Sequence, residues 1–132
     1  MSVITRRGAG LATLAAATLP GAAVAQTPGI RAVAAHGHSP GHACYHIADS
    51  AAQYTVLADV THRPELFARR PDFQVMFDFD PAAAAATRGR LLDRIAAERM
   101  QVGGYHFPFP AQGFFAREGQ GFRYVPADWA AA

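Results

Sequence analysis

The stretch from His36 to Asp59, HGHSPGHACYHIADSAAQYTVLAD, constrains this chain more than any other. It places three of the six histidines in a loop broken by Gly and Pro, then two short apolar runs, the first containing a fourth histidine, then a carboxylate. Short apolar runs bounded by turn residues read as strands. Pro40-Gly41 forces a turn, because proline fixes φ and glycine permits positive φ. That turn holds the His42 ring just ahead of a strand over Ala43–Ala48. Asp59 closes the next strand, Tyr54–Ala58. Neutral imidazole and carboxylate oxygen are the usual donors to zinc, and loops on a rigid scaffold are where functional groups gather. A later apolar run, QVGGYHFPFP, ends in a further histidine, His106. His42, Asp59 and His106 are therefore candidate metal ligands. His36, His38, His46 and His62, taken singly, read as ordinary surface or core histidines. His38 and His62 are also candidates to support the site from behind or to line its pocket.

The rest of the chain follows an α/β (α+β) pattern. Ile30–Ala35 reads as a strand, and the strands at Ala43–Ala48 and Tyr54–Ala58 are close enough to form a hairpin. Val60 to Asp72 is irregular, punctuated by Pro64 and Pro71. Phe73–Phe79 reads as an apolar strand. Asp80 is a helix N-cap with Pro81 at the first helical position. A helix over Pro81–Met100 sets Leu91, Leu92, Ile95 and Met100 on one side and Arg90, Asp93, Arg94 and Glu98 mainly toward solvent. It reads as a packing helix without chemistry. Gln101–Tyr105 leads as a strand into His106. Phe107-Pro108-Phe109-Pro110 has two readings: a wall for a substrate pocket, or a plain structural turn. Gly113–Arg117 and Gly121–Val125 form a terminal hairpin about Glu118-Gly119, and Trp129 packs against the body.

Residues 1–25 read as a targeting segment. Thr5-Arg6-Arg7 precedes a mildly apolar Gly/Ala-rich run, and Ala23-Val24-Ala25 is an A-x-A cleavage pattern. The twin-arginine route is favoured over an ordinary secretory signal, giving an exported, periplasmic or secreted protein. The apolar run is too alanine-rich to span a membrane. Without Arg6 and Arg7, ten basic residues face ten acids, so the net charge of +2 does not describe the body of the protein. No nucleic-acid partner is implied, since no basic stripe interleaved with aromatics appears. Cys44 stands alone, which excludes an intrachain disulfide and reads as a small buried hydrophobe.

SPGHACYHI, then YTVLADVTH, then PDFQVMFDFDPAAAAATRGRLLDRIAAERMQVGGYHFPFP resemble the second half of a metallo-β-lactamase-fold hydrolase. The nearest branch is the methyl parathion hydrolase-like enzymes, and the likeness spans about residues 28–129. The specificity lies in the order: a PGH turn, a strand ending in Asp, a long helix, and a strand ending in His before Phe-Pro-Phe-Pro. The resemblance implies that residues 26–132 are the C-terminal part of an αββα sandwich. It implies that His42 holds a first zinc, Asp59 bridges two and His106 holds the second. The activity implied is hydrolysis of a small ester, lactone, amide or phosphoester. Two departures stand out. Ala58 replaces the glycine usual before the bridging Asp, and the family's HxHxDH motif is absent, with Ser39-Pro40 where an Asp-His pair would follow His38. The implied protein is a shortened hydrolase, unable to complete its site alone, with one sheet face bare for self-association or for a partner supplying the missing half. The competing class is an exported, non-catalytic metal-binding protein using His36, His38, His42 and His46. A third is an inactive fragment.

Overall fold

The computed structural model describes residues 28–49 and 52–128. The expected leader and Trp129 lie outside them. Six strands form one mixed sheet in the order of the chain: β1 (Gly29–Ala34), β2 (Ala43–Ala48), β3 (Gln53–Val56), β4 (Gln101–Gly103), β5 (Gln112–Glu118) and β6 (Gly121–Pro126). Neighbours are antiparallel except β3 and β4, which run parallel. A parallel pair needs a long crossover. Here it runs through a 3₁₀ turn at Ala58–Val60, a short helix α1 (Pro64–Phe67) and the long helix α2 (Pro81–Ala97).

Helix α2 begins where its capping residues dictate. The Asp80 side chain accepts from the Ala83 N–H at 3.0 Å, and Pro81 takes the first turn. It ends at Ala97, short of Met100, because the chain turns through Arg99 at φ 52°. Its buried positions, Ala84, Arg88, Leu91, Leu92 and Ile95, form one stripe. That stripe meets Cys44, Val102, Phe115 and Phe122 from the sheet, making the core. One charged side chain, Arg88, shares the stripe at 1% exposure, donating to backbone carbonyls.

Only one face of the sheet is covered by α2. Along β2, Cys44, His46 and Ala48 are buried while Tyr45 and Ile47 point the other way, 49% and 37% exposed. Ile30 and Phe114 are exposed as well.

Phe73–Phe79 is not a strand. The segment is a series of turns, with Met76, Phe77 and Phe79 largely exposed. Apolar composition suggested a strand, but a strand needs a partner edge, and this segment is held otherwise. Arg88 donates to the carbonyls of Pro71 at 3.0 Å and Phe73 at 2.7 Å. The Phe79 and Asp80 N–H groups donate to His38 O and Gly37 O. Gly37 permits this contact: its φ is +130°, and a Cβ there would fall on the backbone of Ala83 and Ala84.

Candidate metal centre

Strand register brings the three sequence-predicted ligands to one level. Tyr45 pairs with Val56, and Val56 pairs with Gly103. His42 precedes Tyr45 by three residues, and Asp59 and His106 follow Val56 and Gly103 by three. Because β2 runs against β3 while β4 runs with it, all three displacements point the same way. They meet beyond the C-terminal ends of the parallel pair, where open α/β sheets place ligands.

Asp59 is the hub. His106 Nε2 lies 2.9 Å from Asp59 Oδ1, and His62 Nδ1 lies 3.8 Å from the same oxygen. His38 Nε2 approaches Asp59 Oδ2 at 3.8 Å. His42 touches Asp59 only through the backbone: its Nε2 accepts from the Asp59 N–H at 3.2 Å, and its Nδ1 donates to Ala35 O at 2.9 Å. The Asp59 turn is itself held by Leu57 N donating to Gly103 O. Ala58 sits at φ 49° just before it. A left-handed backbone favours glycine, which gives the Gly-to-Ala departure a physical meaning: modest strain at a turn that keeps its shape.

Behind this front lies a second carboxylate. Asp78 is buried, and its Oδ1 pairs with His38 Nδ1 at 2.9 Å. Arg88 stands behind Asp78, with NH2 3.9 Å from Oδ2, too long for a hydrogen bond. Its Nε donates to Val60 O at 2.8 Å, next to the Asp59 turn. Asp78 and Arg88 were not assigned roles from sequence. The available signal was α2's own spacing, which puts Arg88 on the Ala84–Leu91–Ile95 stripe.

Two groups of donors could hold a metal ion, with one ligand atom from each residue and all such atoms within 4.8 Å of one another: Asp59, His62 and His106, and His38, His62 and Asp78. His62 belongs to both. Burial lowers its pKa, the charges of His106 and His38 add to this, and Asp59 and Asp78 oppose it. The neutral imidazole, the form that ligates a metal, is thereby favoured. Its Nε2 is buried without a hydrogen-bond partner. None of His36, His42 and His46 belongs to a donor group among the described residues, so of the three expected ligands the groups bring together Asp59 and His106 and not His42. His36 is exposed, and His46 is buried on the helix side of β2 with Nδ1 against Thr55 Oγ1 at 3.2 Å. The four-histidine arrangement of the non-catalytic reading is therefore not assembled.

The front opens into a cleft of about 510 Å³ lined by His38, Asp59, His62, Arg63, Phe77 and His106. Of the Phe-Pro run, Phe107 is not on this wall. It is buried against Phe115 and Tyr124, which is the structural-turn reading. Phe109 is exposed and also absent from the lining. The apolar wall comes instead from Phe77.

No protein-family model matches the sequence, and no curated protein shows significant similarity to it. Solved structures do. AidC, a dizinc quorum-quenching lactonase, superposes with a TM-score of 0.73 at 25% identity over 77% of this chain and 35% of its own. A hydrolase of the β-lactamase superfamily, AbOPH, gives 0.74 at 23% identity over 78% and 36%. An N-acyl homoserine lactone hydrolase, with N-hexanoyl-L-homoserine at its catalytic metal centre, gives 0.50 at 21% over 65% and 37%. The described residues thus have an α+β fold matching part of the metallo-β-lactamase fold, and the chain spans little more than a third of the length of these proteins.

Proposed function

We propose that this chain contributes one side of the metal site of a hydrolase acting on a small ester, lactone or phosphoester. The observation that carries the reading is the convergence of His38, His42, His62 and His106 on Asp59 beyond the β3–β4 pair. The dizinc neighbour supports zinc as the ion, and a set of nitrogen and carboxylate donors with one unpartnered buried imidazole nitrogen fits it. His42, Asp59 and His106 are the ligands that the resemblance assigns, with His38 and His62 beside them. Zinc in such a site lowers the pKa of a bound water toward neutrality and polarises the bond under attack.

The chain's own residues do the rest. His106 and Asp59 face the open cleft and define where the scissile group sits. Phe77 offers an apolar wall to the body of a substrate, and Arg63 brings a fixed positive charge to the rim. A two-metal centre needs about three protein ligands per ion, more than these residues supply. The HxHxDH donors come from another segment or chain docked on the uncovered sheet face, or a second copy takes that face. The leader at 1–25 sends the chain out of the cytoplasm.

The test is complementation. Zinc content and turnover of a homoserine lactone and an aryl phosphotriester are measured for the chain alone and after mixing with a polypeptide carrying the HxHxDH half of a lactonase. The expected result is negligible turnover alone, turnover on mixing, and loss of that gain with Asp59→Asn. Brisk turnover by the chain alone with two zinc ions would overturn the half-site. Mixing that restores zinc but no hydrolysis of either substrate would overturn the hydrolase.

A further inference from the structure

The resemblance gives the first zinc to His42, but the geometry points to a different donor. We infer that this chain by itself holds one divalent cation on Asp59, His62 and His106, with Asp78 close enough to move in as the acceptor behind His62. The inference rests on the hydrolase reading for the kind of ion and on its own geometry for the donors.

Both nitrogens of His42 are engaged, one with Ala35 O and one with the Asp59 N–H. Those bonds latch the loop to the 3₁₀ turn, and ligation would cost the second of them. His62 is in the opposite state. Its Nδ1 faces Asp59 Oδ1 at 3.8 Å, while Nε2 is buried and unpartnered. A buried polar atom left unpaired costs roughly 1–3 kcal/mol. Asp78 Oδ2 is also buried without a hydrogen-bond partner, and Asp78 shares a donor group with His62.

Ligating histidines almost always donate their other N–H to a carboxylate or carbonyl. An ion on Nδ1 places the proton on Nε2, the nitrogen without a partner, and an Asp78 oxygen within 4.8 Å of a His62 nitrogen needs only a small movement to accept it. The front distances suit an ion as they stand. Two donors about 2.1 Å from a tetrahedral zinc lie roughly 3.4 Å apart. The separations from Asp59 Oδ1 are 2.9 Å to His106 and 3.8 Å to His62, on either side of that value. Two imidazoles and one carboxylate, open to the cleft, form the three-ligand set of a catalytic zinc with a position left for water. Arg88 lies against Asp78 rather than Asp59, so the rear carboxylate's charge is balanced from behind.

Calorimetric titration of the full chain with zinc, and the visible spectrum of its cobalt form, decide this. One equivalent is expected to bind, with a tetrahedral cobalt spectrum. His62→Gln should weaken binding by at least about 100-fold, Asp78→Asn by about 10- to 100-fold, and His42→Gln by clearly less than His62→Gln. Circular dichroism identifies any variant that fails to fold. ¹⁵N shifts of the unmutated protein then serve in its place, with His62 Nδ1 moving on zinc addition and His42 Nε2 unmoved. The inference is overturned if zinc does not bind stoichiometrically, or if His42→Gln abolishes binding while His62→Gln leaves it. Either result alongside successful complementation overturns this donor set and leaves the hydrolase standing. Stoichiometric binding through His62 with failed complementation does the reverse.

Discussion

The two faces of the sheet are built to different standards. On the α2 side, Cys44, Val102, Phe115 and Phe122 meet Leu91, Leu92 and Ile95, and every one is buried. On the other side, Tyr45 and Ile47 alternate outward from the same strand that buries Cys44 and His46. One strand therefore carries a finished core on one side and an apolar surface with nothing on it among the described residues. The site repeats the contrast at smaller scale. Its rear, Asp78 and Arg88, is buried and tied to three backbone carbonyls, while its front opens to the cleft. The closed side is where stability resides. The open side is where something else is expected to bind.

If that contrast is real, damage should track the closed side. Arg88→Ala is expected to be the most harmful change. It leaves buried Asp78 with His38 as its remaining partner and releases the carbonyls of Val60, Pro71 and Phe73. Breaking such a buried pair costs about 3–5 kcal/mol, read as the shift in urea unfolding midpoint. A loss below about 1 kcal/mol would show that Arg88 behaves as a surface charge. Leu92→Ala comes next. Its side chain is fully buried in the core, and truncation there costs about 3 kcal/mol, measured the same way.

Those two residues also show what was legible in the sequence. Leu92 was readable from helical spacing, and so were the hairpins and the Asp80 cap, since each is a local device written in neighbouring residues. In the sequence Asp59 and His106 read as strand ends, whereas each lies three residues beyond its strand, and their meeting depends on the parallel register of β3 and β4, which no local pattern records. Arg88 and Asp78 were hidden by residue type, because charged side chains read as solvated until a fold encloses them. The Phe73–Phe79 error has the same root. Its apolar run was visible, but the guanidinium holding it in turns comes from a helix later in the chain.

A smaller effect probes the same face through pH. His46 is buried beneath α2, and its pKa is lowered first by burial, then by Arg94 and Arg31, with Glu98 opposing. The unfolded chain therefore takes up a proton more readily than the folded one. This contribution is complete above the ordinary histidine pKa near 6.5 and declines as pH falls below it. His62 contributes with the same sign. His46→Gln should thus flatten part of the drop in urea midpoint between about pH 7.5 and about pH 5.5. An unchanged slope would mean that His46 titrates as though it were exposed.

The smallest effect on folding belongs to the open face. Tyr45→Ser with Ile47→Ser removes apolar surface that is already in contact with water, so stability should change by no more than about 0.5 kcal/mol. What should change is association. Exposed apolar patches promote it, and the double variant should elute later in size-exclusion chromatography, or respond less to complementation, than the parent chain. A loss of several kcal/mol would mean that this face is packed within the monomer. The asymmetry between the two sides of the sheet would then be far smaller than its exposures indicate.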